Sequence, residues 1–303
     1  MLQLAELNRR AHAALPREAF DFRTMEELDA RADEAIAQLR AGRARLASSP
    51  FDRARVWLER RIDTDIVEYL DRPDHPASRK LRQVRWLHVQ NVLLGSYPRY
   101  LALLQPSIDT AVAARHGAPA RLLELASGSG ELTLALARLA RERGIPVELT
   151  GSDLEPAYVE DAARRAREAN VSAGFRVLNA FDLAGALAPG DVDVAFVVQS
   201  MHHFTPGQLA RMIAQVGAAG ARRFVGIDGR RSLFMVGALP ALCALSLDRH
   251  FAHDAWISMR RLHAEAELAL VASIAAPGAR VSVRSHAGIL SVLEVDYGRM
   301  AHS

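Results

Sequence analysis

The stretch Glu124-Leu-Ala-Ser-Gly-Ser-Gly130 sets the fold class, because it joins a short apolar run to a longer amphipathic one. Residues 122–125 read as a buried strand, and residues 132–143 carry apolar side chains at helical spacing. Glycines in the intervening loop let the backbone approach a ligand closely. The helix that follows presents free N–H groups and a partial positive charge to the same point. Loops of this kind lie at the carboxyl ends of strands, where open α/β sheets bind ligands.

Further along the chain the alternation repeats. Strands are predicted at 147–151, 175–178, 192–198 and 224–227, with helices at 156–169 and 206–216. The run Ala195-Phe-Val-Val198 is apolar throughout, as suits a parallel strand covered on both faces. This pattern predicts an α/β fold with a doubly wound parallel sheet. Residues 281–285 and 289–295 break it. Their short connection through Gly288 cannot make a parallel crossover, so they are expected to form a terminal antiparallel hairpin at the sheet edge.

Before this unit the sequence shows no strand. Thr24-Met-Glu-Glu27 is a capping box, and Leu28, Ala32, Ala35, Ile36 and Leu39 follow at helical period. Shorter helical stretches around Val56 and Ile66 are expected to stop before Pro73 and Pro76. Two more helices follow, and His116-Gly-Ala-Pro119 is the linker. The expected division is a helical region, 1–116, capping an acceptor site, and a ligand-binding domain, 117–303.

Composition narrows the function. With 303 residues, half of them hydrophobic and a quarter charged, the chain has the balance of an ordinary globular protein. The single cysteine, Cys243, excludes an internal disulfide and any paired-cysteine metal or redox site, and its apolar surroundings mark it as a core residue. A net charge of +3 without a run of like charges gives no nucleic-acid tail. Glu6, Arg9 and Arg10 near the N-terminus precede no apolar segment, so no signal peptide is expected and the protein is placed in the cytoplasm. The apolar run 232–247 contains Pro240 and is too short for a membrane span, which takes about 20 residues. A buried helix is the favoured reading over a substrate surface, and lining a pocket for a lipophilic or aromatic acceptor would combine the two.

Two details near the loop choose between ligands. A dinucleotide fingerprint wants a small residue at the position held by Thr133. Glu124 would repel a pyrophosphate, yet suits a ligand carrying an ammonium and a sulfonium. Asp153 closes the second strand about 20 residues beyond the glycines, where an acid can accept both ribose hydroxyls; its alternative is a helix cap.

These residues resemble the class I S-adenosylmethionine-dependent methyltransferases, with the likeness running from about 121 to 295. The resemblance implies a Rossmann-like seven-stranded sheet and S-adenosyl-L-methionine as cofactor. Its methionine part would be wrapped by Glu124, Ala126, Ser127, Gly128 and Gly130, with Ala126 replacing the commoner glycine. Asp153 and Leu154 would meet the ribose. Either Asn179 or Asp182 would read the adenine edge, with Asp182 favoured for its charge, and Phe181 would stack on the base or belong to the core. Tyr97 or Tyr100 would bond the cofactor carboxylate, and Gln199 closes the fourth strand beside it.

The same strand leads into His202-His203-Phe204, similar to a segment of small-molecule methyltransferases. Adjacent histidines without a nearby carboxylate make a poor metal pair, so no metal site is expected. One of them acts as a general base toward an acceptor hydroxyl, or else orders the loop. Trp86, His88, Asn91 and His253 are further candidates for the cofactor cover or acceptor side. Motifs for DNA amino-group, cytosine or guanidinium acceptors are missing. The expectation is methyl transfer to an oxygen, nitrogen or carbon of a small, largely apolar or aromatic metabolite, with positioning dominant. No nucleic acid or membrane partner is expected, and a homodimer is left open. Two other classes compete: a non-methylating protein that keeps the cofactor fold, such as a cyclase or scaffold, and a nicotinamide-dependent reductase.

Overall fold

The structure is a computed structural model and describes residues 4–15, 22–72 and 74–298. Pro73, expected to end a helical stretch, lies outside them. Among the described residues five α-helices come first: α1 (Ala5–Ala13), α2 (Met25–Leu46), α3 (Pro50–Ile62), α4 (Ala77–Leu93) and α5 (Ser96–Ala114). The Thr24 hydroxyl caps α2 by accepting from the Glu27 amide, as the sequence pattern requires.

Seven strands then form one sheet: β1 (Ala120–Glu124), β2 (Val147–Asp153), β3 (Gly174–Val177), β4 (Val194–Val198), β5 (Arg223–Gly229), β6 (Arg280–His286) and β7 (Leu290–Asp296). Their order is β3-β2-β1-β4-β5-β7-β6. The first five pair in parallel, whereas β7 runs antiparallel to β5 and β6 antiparallel to β7. Every residue of β4 is buried, which is why this strand reads as an unbroken apolar run.

Helices cover both faces. One core joins Leu28, Ile36 and Leu39 of α2 to Leu123 and Val197 of the sheet, to Leu209 and Ile213 of α8 (Pro206–Ala218), and to Leu268 and Val271 of α11 (Glu265–Ala275). The opposite core joins Leu101, Leu104 and Ile108 of α5 to Leu134 and Leu136 of α6 (Glu131–Glu142), Ala166 of α7 (Pro156–Glu168), and Phe196 and Val225 of the sheet. The helical region thus contributes to both cores rather than standing apart from them.

Between β5 and α11 the chain forms α9 (Leu233–Ala244) and α10 (Arg249–Arg261). Pro240 sits inside α9 without ending it. The expected burial of this apolar run is only partial: Met235 and Cys243 are buried, but Phe234, Leu242, Leu245 and Leu247 are exposed. Apolarity on all sides of a helix signals burial only when neighbours enclose it, and here they cover one side. No helix among the described residues is long and apolar enough to cross a membrane.

Candidate functional site

A cleft of about 340 Å³ opens at the carboxyl ends of β1, β2 and β4. Its wall begins with the loop after β1, where Ala126, Gly128 and Gly130 all have φ in the left-handed region. The Ser127 amide donates to the Ser152 carbonyl and the Gly128 amide to Asp153 Oδ2, each at 2.8 Å, so the loop is fastened to the end of β2. Gly130 serves packing instead of the cleft: an added Cβ would stand 2.5 Å from Phe175 and 2.7 Å from Ala162. Gln199, at the end of β4, is also left-handed, and its side chain accepts from Asn91 of α4 at 3.1 Å. Non-glycine residues in this region cost roughly 1–3 kcal/mol and persist where the surroundings enforce them.

Glu124 is buried on the cleft wall. Burial raises its carboxyl to about 8, against the opposing effect of a hydrogen bond from the Thr133 hydroxyl. Thr133, whose size argued against a dinucleotide, is therefore the partner that holds the acid. Ser127 Oγ is buried and has no hydrogen-bond partner among the described residues.

The cleft gathers Glu124, Ala126, Ser127, Gly128, Asp153, Gln199, Tyr100 and His203 from the expected set. His88, Asn91 and Tyr97 line it as well, while Trp86 and His253 do not. The His88 ring lies 2.8 Å from the Tyr97 hydroxyl and 3.5 Å from Glu131, tying α4 to α5 and to the first turn of α6. Asp153 does not cap α7 through its own helix position; Glu155 holds the N-cap, and Asp153 accepts the Glu155 amide at 3.0 Å.

Other expected residues lie away from the cleft lining. The Leu154 side chain is exposed, as are Asn179 and Asp182. The Asn179 side chain accepts the Phe181 amide at 3.0 Å, a local turn. Phe181 meets Phe204 edge-on with centroids 5.6 Å apart, and Phe204 lines the cleft.

His202 faces a second, smaller chamber of about 120 Å³, lined also by Glu68, Asp228, Met235, Cys243 and Phe251. The two cavities share Leu70, Val84, Leu87, Gln199 and His203 as wall residues. His202 Nδ1 lies 2.9 Å from Asp228 Oδ2, and its backbone amide donates to the same carboxylate at 3.0 Å. Burial alone would raise the Asp228 carboxyl, but the His202 ring and the amides of Gly229 and His202 outweigh it and hold it below its ordinary value. The loop is held from a further side as well. His263 lies 3.2 Å from the carbonyls of Met201 and Phe204, and Arg261 donates to that of His203.

Sequence reasoning missed Glu68, which no motif marks. The turn at 69–71 is held because Asp254 accepts the amides of Tyr69 and Leu70 at 2.8 and 3.0 Å, and Ser258 donates to Glu68 at 2.8 Å. Asp254 and Ser258 both lie in α10, so this helix positions Glu68 and the turn that follows it.

Comparison with known proteins adds to this geometry. A family model described as a methyltransferase domain matches residues 122–222. The plantazolicin methyltransferase BamL, solved with a triazolic desmethylPZN analog and SAH, is 13% identical over 74% of this chain and 92% of its own, with a TM-score of 0.54. The plantazolicin methyltransferase BpumL, solved with SAH, is 10% identical over 76% of this chain and 93% of its own, with a TM-score of 0.52. At such identities these two likenesses establish the shared fold. No curated protein sequence matches the chain.

Proposed function

With residues 122–222 belonging to the methyltransferase-domain family, we propose that the chain transfers a methyl group from S-adenosylmethionine to a small, largely apolar or aromatic acceptor. The chain is an S-adenosylmethionine-dependent methyltransferase, and the cofactor, when bound, supplies a methyl group on a positively charged sulfur. The residues fit it. The buried, partly satisfied Glu124 carboxyl recovers its charge beside an incoming ammonium. The unpartnered Ser127 hydroxyl gains a bond, and Asp153, already at the cleft wall, has lone pairs left for ribose hydroxyls.

The observation that carries the acceptor reading is the shared wall of the two cavities. Gln199 and His203 border both, so an acceptor in the smaller, mostly apolar chamber lies next to the cofactor cleft. The helical region, through Glu68, Leu70, Val84 and Leu87, supplies much of that chamber and acts as its cap. Holding the reactants in line provides the larger contribution, about 7–11 kcal/mol in well-oriented systems. His203, which borders both cavities, takes the acceptor proton as general base, an effect on the order of 10²–10⁴-fold.

Incubation with methyl-labelled S-adenosylmethionine and a panel of phenols, enols and aromatic amines tests the reading. Label is expected in at least one acceptor, with release of S-adenosylhomocysteine. Tight cofactor binding with no turnover on any acceptor would sink methyl transfer and leave a cofactor-binding protein.

A further inference from the structure

The notion that the two adjacent histidines lack a carboxylate partner fails in three dimensions. Glu68 Oε1 lies 3.7 Å from His202 Nε2 and 3.9 Å from His203 Nδ1, and one ligand atom from each residue falls within 4.8 Å of the others. Glu68 and His202 are buried, at 3% and 5% exposure. His202 lines the chamber, and its Nε2 has no hydrogen-bond partner among the described residues. A buried imidazole nitrogen left bare is costly unless something occupies it.

We infer that Glu68, His202 and His203 form a binding site for a divalent transition-metal ion of the zinc, cobalt or nickel class. Two imidazoles and one carboxylate suit such ions better than magnesium or calcium, which prefer all-oxygen surroundings. Metal–ligand bonds of about 2.0–2.2 Å in a tetrahedral site put ligand atoms roughly 3.3–3.5 Å apart. The Glu68–His202 and Glu68–His203 separations of 3.7 and 3.9 Å exceed this by a few tenths of an ångström, and the two imidazole ligand atoms lie within 4.8 Å of each other.

The residues behind the three ligands match the role. Asp228 accepts a hydrogen bond from the Nδ1–H of His202, which fixes the tautomer and leaves the Nε2 lone pair for the ion. Ser258 orients Glu68, and Asp254 pins the turn that follows it. Three protein ligands leave at least one coordination position open toward the chamber. Resting on the methyltransferase reading, this position selects an oxygen-bearing acceptor, such as a phenol, enol or carboxylate, and holds its oxygen beside the cofactor cleft. A ligating imidazole no longer accepts a proton, so in the metal-loaded protein the histidines hold the acceptor site and the base role of His203 lapses.

The full chain, freed of any affinity tag, is titrated with Co²⁺ and followed by visible absorption, then challenged with Zn²⁺. One equivalent of Co²⁺ should give ligand-field bands that Zn²⁺ abolishes. Glu68→Gln and His203→Asn should each weaken binding at least tenfold, and Asp228→Asn by about 10–100-fold. His250→Ala, in the neighbouring ring cluster of Tyr69, His75, His250 and His253, should bind as wild type. Absence of stoichiometric binding, or loss through His250→Ala with Glu68→Gln unaffected, would overturn the proposal. S-adenosylmethionine titrated into the same proteins reports folding and separates the outcomes. Cofactor binding without metal binding sinks only the metal site, and metal binding without cofactor binding sinks only the methyltransferase reading.

Discussion

Glu124 concentrates the chemistry of the cleft in one side chain. Its carboxyl has a pKa of about 8 in the folded chain against an ordinary 4.5, chiefly because burial disfavours the charge. Between those values the folded state binds the extra proton and the unfolded state does not. Its contribution is therefore fully present below about 4.5 and is lost as pH rises through about 8. The melting temperature of the ligand-free protein should fall from pH 5 to pH 8 more steeply than that of Glu124→Gln; identical slopes would remove Glu124 as the cause. The acid was legible in the sequence because it precedes the glycines. Its partner Thr133 was not legible as such, since the meeting depends on how the first turn of α6 lies against β1. Ala126 looked like a mild replacement for glycine, yet its φ of 52° places it where L-residues are strained.

Between elements, the helical region is fastened by buried charge as well as apolar contact. Arg40 and Arg43 of α2 reach Glu267 of α11 at 2.8 and 3.4 Å, and Arg43 also pairs with Glu59 of α3. Arg231, after β5, lies 3.3 Å from Asp63 and 3.6 Å from Glu59. Burial would raise the Glu267 carboxyl, but Arg40 and Arg43 outweigh it and hold it far below its ordinary range. Removing one member leaves opposite charge buried, which costs about 3–5 kcal/mol. Urea unfolding of Glu267→Gln should show a loss of that order, and a loss below about 1 kcal/mol would mean that the network is not what joins α2 to α11. Helical period placed α2 well from sequence. It could not place the network, because ion pairs join residues far apart in the chain. The same limit applied to α9, whose apolar composition suggested an enclosure that the fold provides on one side only.

Across the whole molecule, the sheet was readable because strands buried on both faces leave unbroken apolar runs, and because the Gly288 connection is too short for anything but a hairpin. The loop after β1 was readable for a related reason: its residues are contiguous. The smaller chamber was not, since Glu68, His202, Asp228 and Asp254 come from four separate parts of the chain and meet only after folding. The exposed positions of Asn179 and Asp182 similarly follow from a local turn that strand period does not reveal.

The most direct measurement is a calorimetric titration of S-adenosylmethionine and of a nicotinamide dinucleotide into the wild-type chain and into Asp153→Ala. S-adenosylmethionine should bind at one site with heat that the dinucleotide does not reproduce. On the proposed ribose role, Asp153→Ala should weaken it by about 1.5–3 kcal/mol, the worth of hydrogen bonds to a charged group, or roughly 10–150-fold. Preference for the dinucleotide, or unchanged affinity in Asp153→Ala, would contradict the assignment of the cleft.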